Sequence, residues 1–289
     1  MSSSQKAALR YVEEKFDSAL SKPSIYWPTV PHKNLEWEIL SRIKDPDRIW
    51  QATSNLCGMA SFMNTLAWDD PYLYGHYVCN LLQYGSAILG YQKDSPRISP
   101  TKVTRSSKVP PTMPTADWVA LASLRDHLNK VLDYSFDAAV PVLGEIPLLG
   151  LFGSPRLTGE PIGGITLPKD LVHMLKAVGY TKVVDLADWK YKPEPKVMGL
   201  ANAYFAAGYR VLLLVNSGIY SPSASSWSML PTHWVRMTAK FDQRGSKVRA
   251  RVYDPAAGCQ RWLPESDSGA YLPLASFLGH FWGFVAGRR

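Results

Sequence analysis

The spacing of apolar residues predicts that the first third of the chain is mainly helical. Near the N-terminus an apolar residue recurs every three or four positions, which is the period of one face of an α-helix. This first stripe consists of Ala8, Tyr11, Val12, Phe16, Ala19 and Leu20, and it ends before Pro23. Three further helices are predicted: one over residues 34–43, one that starts at Cys57, and one from Asp70-Pro71 to about Leu89, with a stop near Gly90.

The middle of the chain alternates between regular and irregular patterns. A helix is predicted over Thr115–Tyr134, whereas residues 138–167 mix Gly and Pro with apolar residues, a combination that favours a buried irregular loop. A lid or substrate-facing loop is the functional alternative for this stretch. The pattern then predicts a helix over 167–178, a strand over 182–186, a helix over 197–207 and a buried strand over 209–215.

Two strands near the C-terminus alternate between apolar and polar positions, and each carries one ionisable residue on its apolar face. His233 opens the strand 233–241, and Asp254 ends the strand 247–254. A four-residue hairpin loop over 242–245 places His233 directly opposite Asp254. We therefore expect the carboxylate to orient the imidazole.

Length and composition favour a single elaborated domain of the α+β class. The chain has 289 residues, of which 46% are hydrophobic, so it can bury one large core. Within this domain the pattern indicates a helical part over 1–91 that contains Cys57, an exposed basic Pro/Ser-rich excursion over 92–114, helices and an irregular insert over 115–208, and an antiparallel sheet part over 209–289.

The chain has neither a membrane-spanning nor a secretory pattern. No run of about 18 uncharged apolar residues occurs, which is the length that a transmembrane helix needs. The first residues lead into an amphipathic helix instead of the apolar segment of a signal peptide. These features predict a protein that is made in the cytoplasm and has no transmembrane segment.

The cysteines and histidines do not show the spacing of a disulfide framework or a metal site. The three cysteines, Cys57, Cys79 and Cys259, are an odd number without a CxxC pair. The histidines show no metal-ligand spacing. We therefore expect free thiols in a reducing compartment, no metal and no cofactor.

The net charge of +8 raises the question of an anionic partner. Five basic residues fall in the Pro/Ser-rich stretch 92–114, where a solvated loop is the simpler explanation. The chain has no zinc-finger spacing, Walker loop or RNA-binding aromatic motif. The pattern therefore does not favour nucleic acid as a partner.

The clearest chemistry in the sequence belongs to Cys57, His233 and Asp254, with Gln51 six residues before the cysteine. Cys57 stands at the start of a predicted helix, where the macrodipole favours a thiolate. An imidazole held by a carboxylate can take the thiol proton and return it to a leaving amine, while the amide of Gln51 donates to the oxyanion. These roles form a cysteine hydrolase site that works through a thioester. The alternative is structural, because a free cysteine or an apolar-face histidine is commonly part of a core.

The same residues carry a resemblance to the papain-like cysteine peptidase superfamily. The run Ser54-Asn55-Leu56-Cys57-Gly58-Met59-Ala60-Ser61 is similar to that of bacterial double-glycine peptidases and effector-type relatives, and His233-Trp234-Val235 and Val252-Tyr253-Asp254-Pro255 are similar to the segments that carry His and Asp in those relatives. The papain subgroup's Cys-Gly-Ser-Cys-Trp pattern is absent. The resemblance covers Gln51–Ser61 and roughly the last third of the chain. It implies a papain-like fold in which a helical part with the cysteine packs on a twisted antiparallel sheet with the histidine and the aspartate.

Three functions remain open on the sequence alone. The first is a peptidase or amidase that acts on a protein or peptide, including cell-wall peptide. The second is a deamidase or transglutaminase that acts on a glutamine side chain through the same triad. The third is a non-catalytic papain-like binding protein whose basic surface takes an anionic partner.

The resemblance to effector-type enzymes also bears on the biological role. It implies, as one alternative, a toxin that a dedicated secretion system exports into a target cell. The producer of such a toxin needs a cognate inhibitor protein that occupies the cleft near Cys57. The other alternative is a housekeeping intracellular peptidase.

Overall fold

The protein combines helices with one large antiparallel sheet, which confirms the predicted α+β class. A computed structural model describes residues 1–129, 166–188, 191–220, 231–265 and 269–289. The irregular stretch predicted over 138–167 lies outside the described residues except for its last two.

The helices of the described residues are α1 (Ser3–Asp17), α2 (Leu35–Lys44), α3 (Cys57–Asp69), α4 (Pro71–Tyr84), α5 (Lys102–Ser106), α6 (Thr115–Leu128), α7 (Pro168–Ala177), α8 (Lys196–Ala206) and α9 (Leu274–His280). The predicted Asp-Pro start of α4 is confirmed, because the Asp70 side chain caps the helix by accepting from the Leu73 N–H at 2.9 Å. The predicted end at Leu89 is wrong, since Gly85 takes a left-handed φ of 67° and closes the helix earlier. None of the helices in the described ranges is both long and apolar enough to cross a membrane.

The strands are β1 (Ala87–Ile88), β2 (Arg97–Ile98), β3 (Lys182–Asp185), β4 (Arg210–Val215), β5 (His233–Met237), β6 (Asp242–Arg244), β7 (Lys247–Asp254), β8 (Cys259–Leu263), β9 (Leu272–Pro273) and β10 (Phe281–Arg288). The main sheet has the order β3-β10-β4-β5-β7-β6, and β8 and β9 also pair with β7. Each of these pairings is antiparallel, and β1 and β2 form a separate ladder. The strands that carry His233 and Asp254 are therefore neighbours near the middle of the sheet.

The sheet has a hydrophobic core on each face, because successive side chains of β4 point to opposite faces and are buried on both. Leu212 and Leu214 pack with the helical layer of α1–α4, α6 and α7, whereas Leu213 packs with α8 and α9 on the other face. Helix α3 lies inside the helical layer, since its residues 57–67 are all buried. Cys57 is thus held at the end of a helix that has packing partners around it.

Residues 92–114 are partly packed against the domain, while four of the five basic residues of the predicted excursion are exposed: Lys93, Arg97, Lys102 and Lys108. The segment contains β2 and α5, and Thr104 is buried. Asp126 of α6 accepts from the Thr101 N–H and from the Thr104 hydroxyl, each at 2.7 Å. These bonds to a buried carboxylate hold the segment in place. Its basic residues therefore belong to a folded segment of the surface.

The hairpin that carries His233 and Asp254 has a different register from the predicted one. β6 and β7 meet at a two-residue turn, Gly245-Ser246, with Asp242 opposite Arg249. β5 pairs with β7 in another register, with Arg236 opposite Tyr253, because residues 238–241 leave the ladder. The directly opposed pairing of His233 and Asp254 is therefore wrong by two residues. A shift of two keeps both side chains on the same face.

Candidate active site

Cys57 is the first residue of α3, and the local sequence leaves the positive end of this helix available to its sulfur. The residue before it, Leu56, has no side-chain acceptor for the first N–H groups, and the first turn contains no acidic residue. The Cys57 side chain is nearly buried, and its Sγ lies 4.0 Å from the carbonyl oxygen of Thr232. The macrodipole favours a thiolate in this position, and no acidic side chain of the first turn competes with it.

His233 opens β5 and meets Cys57 around the end of that strand. The next residue, Trp234, belongs to the core on the α3 side, so His233 points to the other face of the sheet. Ser61, one turn into α3, donates its hydroxyl to the Trp234 carbonyl oxygen at 3.1 Å. This bond ties α3 to β5 and holds the thiol near enough to the imidazole to act on its pKa.

Asp254 ends β7 and holds the imidazole. Its Oδ1 lies 2.8 Å from His233 Nε2 and also accepts from the Ala256 N–H at 2.9 Å. Asp254 is 0% exposed and His233 is 7% exposed. Because Nε2 faces Asp254, Nδ1 is the ring nitrogen left for the thiol of Cys57. The predicted hydrogen bond between His233 and Asp254 is therefore present, although the strand register differs.

The electrostatics of the three side chains favour a charged pair. Burial lowers the pKa of His233, but hydrogen bonds with Asp254 and Cys57 and their negative charges outweigh it and raise that pKa to about 9. Burial raises the pKa of Asp254, but the hydrogen bond and charge of His233, together with Arg261, hold it below its usual value. The imidazolium and its carboxylate are thus both charged from mildly acidic pH up to about pH 9.

Gln51 lies on the loop before α3, next to the turn that follows Asp254. Its backbone N–H donates to the Pro255 carbonyl oxygen at 3.0 Å, and the neighbouring Ala52 takes a left-handed φ of 51°, which is uncommon for a residue other than glycine. Gln51 is 6% exposed, and its side-chain Oε1 is buried without a hydrogen-bond partner among the described residues. The donor that an oxyanion requires is the other atom of this amide, Nε2.

A buried ion pair between Arg42 and Asp117 holds this loop against α6. Asp117 of α6 accepts from Arg42 of α2 through two bonds, at 2.8 and 2.7 Å, and its Oδ2 also accepts from the Trp50 N–H at 3.0 Å. The Trp50 indole N–H donates to the Ala256 carbonyl oxygen at 2.8 Å. These bonds place the residue before Gln51 between α6 and the Asp254 turn.

Sequence reasoning missed two residues beside the triad, Arg261 and Tyr220. Arg261 Nε lies 2.8 Å from Asp254 Oδ2, and the Tyr220 ring centroid is 6.0 Å from that of His233. Arg261 could have been identified from the sequence. A turn over Pro255–Gly258 pairs Arg261 with Val252, and Val252 shares a face with Asp254. Tyr220 follows β4 in a short 3-10 turn, and no pattern in the chain points to it.

Gly58 is predicted to be essential for the packing of α3 behind Cys57. A methyl group at this position would overlap the Thr166 side chain. The backbone of Thr166 is held in turn, because its carbonyl oxygen accepts from the Trp234 indole N–H. We expect Gly58→Ala to lower the free energy of unfolding by about 1–3 kcal/mol, because the helix must move away from Thr166. Denaturant unfolding measures this change.

The matched control for this substitution is Gly199→Ala in α8, where none of the described atoms lies within 4 Å of the added methyl group. The control should raise stability by up to about 1 kcal/mol, since alanine is the better helix former. Equal effects of the two substitutions would contradict the packing role of Gly58.

The remaining ionisable candidates do not gather into a second site within the described ranges. Cys79 is fully buried in the helical layer, and Cys259 is exposed on β8. No group of three or more potential metal ligands occurs among the described residues. The chain matches no protein-family model, no curated protein and no solved structure.

Proposed function

We propose that the protein is a papain-like cysteine-dependent amide hydrolase, with Cys57 as nucleophile, His233 as general acid and base, Asp254 as the residue that orients His233, and Gln51 as an oxyanion donor. The observation that carries this proposal is the hydrogen bond between His233 and the buried Asp254, with the Cys57 thiol beside the same imidazole and at a helix N-terminus. His233 lies between a carboxylate and a thiol, which is the order that a nucleophile, its base and the residue that orients the base require. That placement supports catalysis over packing.

The proposed reaction proceeds in two halves. Cys57 Sγ, its proton held on His233, attacks the carbonyl carbon, and the negative oxygen accepts from Gln51 and the Cys57 N–H. The carbon–nitrogen bond then breaks as His233 gives its proton to the departing amine, which leaves a thioester on Cys57. Water attacks the thioester, passes a proton to His233, and releases the acid and the thiol.

The papain-like character of the fold is part of the proposal. It is supported by the order of the elements: the Gln51 loop, the Cys57 helix, and then His233 and Asp254 on neighbouring antiparallel strands of a sheet that α3 covers. The same series of side chains also serves deamidation or transglutamination, in which the amide attacked is a glutamine side chain. The products decide between these reactions.

The test is mass spectrometry of candidate proteins and cell-wall peptides after incubation with the wild-type protein or with Cys57→Ala. New chain ends that appear only with the wild type identify a peptidase or amidase. Glutamine converted to glutamate identifies a deamidase, and a cross-link with loss of ammonia identifies a transglutaminase. Identical spectra with both proteins across the panel count against an enzyme and favour a binding protein.

A further inference from the structure

We propose that Arg261 is a positioning residue of this site: it holds the second oxygen of Asp254 and sets the upper pH limit of the Cys57–His233 ion pair. The inference rests on the proposed function, since it assigns a role within the same catalytic site. Arg261 touches neither the thiol nor the imidazole, so it acts through Asp254.

The two oxygens of Asp254 are divided between two tasks. Oδ1 binds His233 Nε2 and the Ala256 N–H, whereas Oδ2 lies 2.8 Å from Arg261 Nε. Asp254 is 0% exposed, and Arg261 comes from β8, one strand beyond β7. The contact between Nε and Oδ2 is an ion pair without hydrogen-bond geometry, so Arg261 acts on Asp254 through its charge.

Arg261 is itself held from two sides. Its Nη1 binds Glu265 Oε2 at 2.6 Å, and its guanidinium carbon lies 5.0 Å from the centroid of the Tyr220 ring. Tyr220 also stands beside His233, with ring centroids 6.0 Å apart. Burial and the neighbouring Asp254 raise the pKa of Tyr220 well above its ordinary value, so this ring stays neutral. The cation therefore has a fixed place behind the carboxylate.

A fixed positive charge behind Asp254 must affect the imidazolium. The ionisable side chains packed around His233 in the described residues are Cys57 from α3, Tyr220 from the turn after β4, and Asp254 from β7. Two of these, as thiolate and carboxylate, stabilise the imidazolium. Arg261 opposes them, because its positive charge partly neutralises the Asp254 carboxylate and repels the His233 imidazolium. Removing it should let His233 keep its proton to higher pH.

The test measures the rate at which iodoacetamide alkylates Cys57 as a function of pH, with the modified residue identified by mass spectrometry. In the full-length wild-type protein we expect two steps, one as the ion pair forms and one as His233 loses its proton near pH 9. Arg261→Gln should move the upper step higher by about one pH unit, whereas Arg261→Lys, which keeps the charge, should leave it near the wild-type position. Arg251→Gln, on the exposed side of β7, is the matched control and should have no effect.

The outcomes separate this inference from the proposed function. A single step in the wild-type protein, typical of an ordinary thiol, would overturn the ion pair and with it the proposed function. Two steps in the wild type with the same upper step in Arg261→Gln would overturn the role of Arg261 alone. Thermal unfolding checks that each variant is folded, and Arg261→Met replaces the glutamine variant if that one does not fold. A merely structural salt bridge would change the unfolding temperature but not the upper step.

Discussion

Cys57→Ala is expected to lower kcat/KM for any amide that the wild-type protein hydrolyses by at least about 10³-fold, because no other group can form the thioester. The fold should survive, since the substitution removes one sulfur at the edge of the core, where the side chain is 8% exposed. We expect the free energy of unfolding to change by no more than about 1 kcal/mol. Steady-state kinetics on the substrate identified by mass spectrometry, together with denaturant unfolding, measure both effects.

Cys259→Ala is the matched control for this prediction. Cys259 lies on β8 directly opposite Asp254 in the strand pairing, but its side chain is exposed. Removal of the Cys259 thiol should leave kcat/KM unchanged, because this exposed thiol is not one of the three proposed reacting groups, Cys57, His233 and Asp254. Hydrolysis that persists in Cys57→Ala but is lost in Cys259→Ala would move the nucleophile to the other cysteine and refute the proposed assignment.

The faces of the two strands that carry His233 and Asp254 could be predicted from the sequence, but their register could not. Alternation with period two places His233 and Asp254 on apolar faces whatever the loop does, and only a shift by an odd number of residues would place them on opposite faces. The register depends on the loop, where a two-residue turn at Gly245-Ser246 and the departure of residues 238–241 from the ladder replace the predicted four-residue turn. The side chains still reach each other because diagonal neighbours on one face lie within reach of long side chains.

The start of α3 could also be predicted from the sequence, whereas the contacts that support the Gln51 loop could not. The helix start at Cys57 follows from a local pattern of apolar residues, which the sequence displays directly. The anchor of the loop is Asp117, which lies 67 residues after Trp50 in the chain, inside a helix whose residues 115–126 are all buried. No local pattern shows that a carboxylate in one helix accepts from a distant loop and from Arg42, since this depends on how the helices pack.

That anchor leads to the second prediction with a large effect. Asp117→Ala should lower the free energy of unfolding by about 3–5 kcal/mol, because Arg42 is 4% exposed and would become a buried cation without its partner. The Trp50 N–H would lose its acceptor as well, so the loop that carries Gln51 should loosen. Denaturant unfolding measures the loss of stability. In the fraction that stays folded, kcat should fall as the oxyanion donor is displaced.

Arg48→Ala provides a matched comparison, because it breaks another Arg–Asp pair at the surface and leaves the Asp45 carboxylate, which accepts from the Asp47 N–H, in place. Arg48 and Asp45 approach to 3.4 Å, but both side chains are more than half exposed, so the loss should be about 1 kcal/mol or less. Arg42→Met combined with Asp117→Leu should recover much of the stability lost in Asp117→Ala, since no buried charge remains. Its activity should stay low because Trp50 still has no acceptor. Full activity in this double variant would show that the anchor does not position Gln51. A stability loss in Asp117→Ala no larger than in Arg48→Ala would show that Arg42 finds another partner.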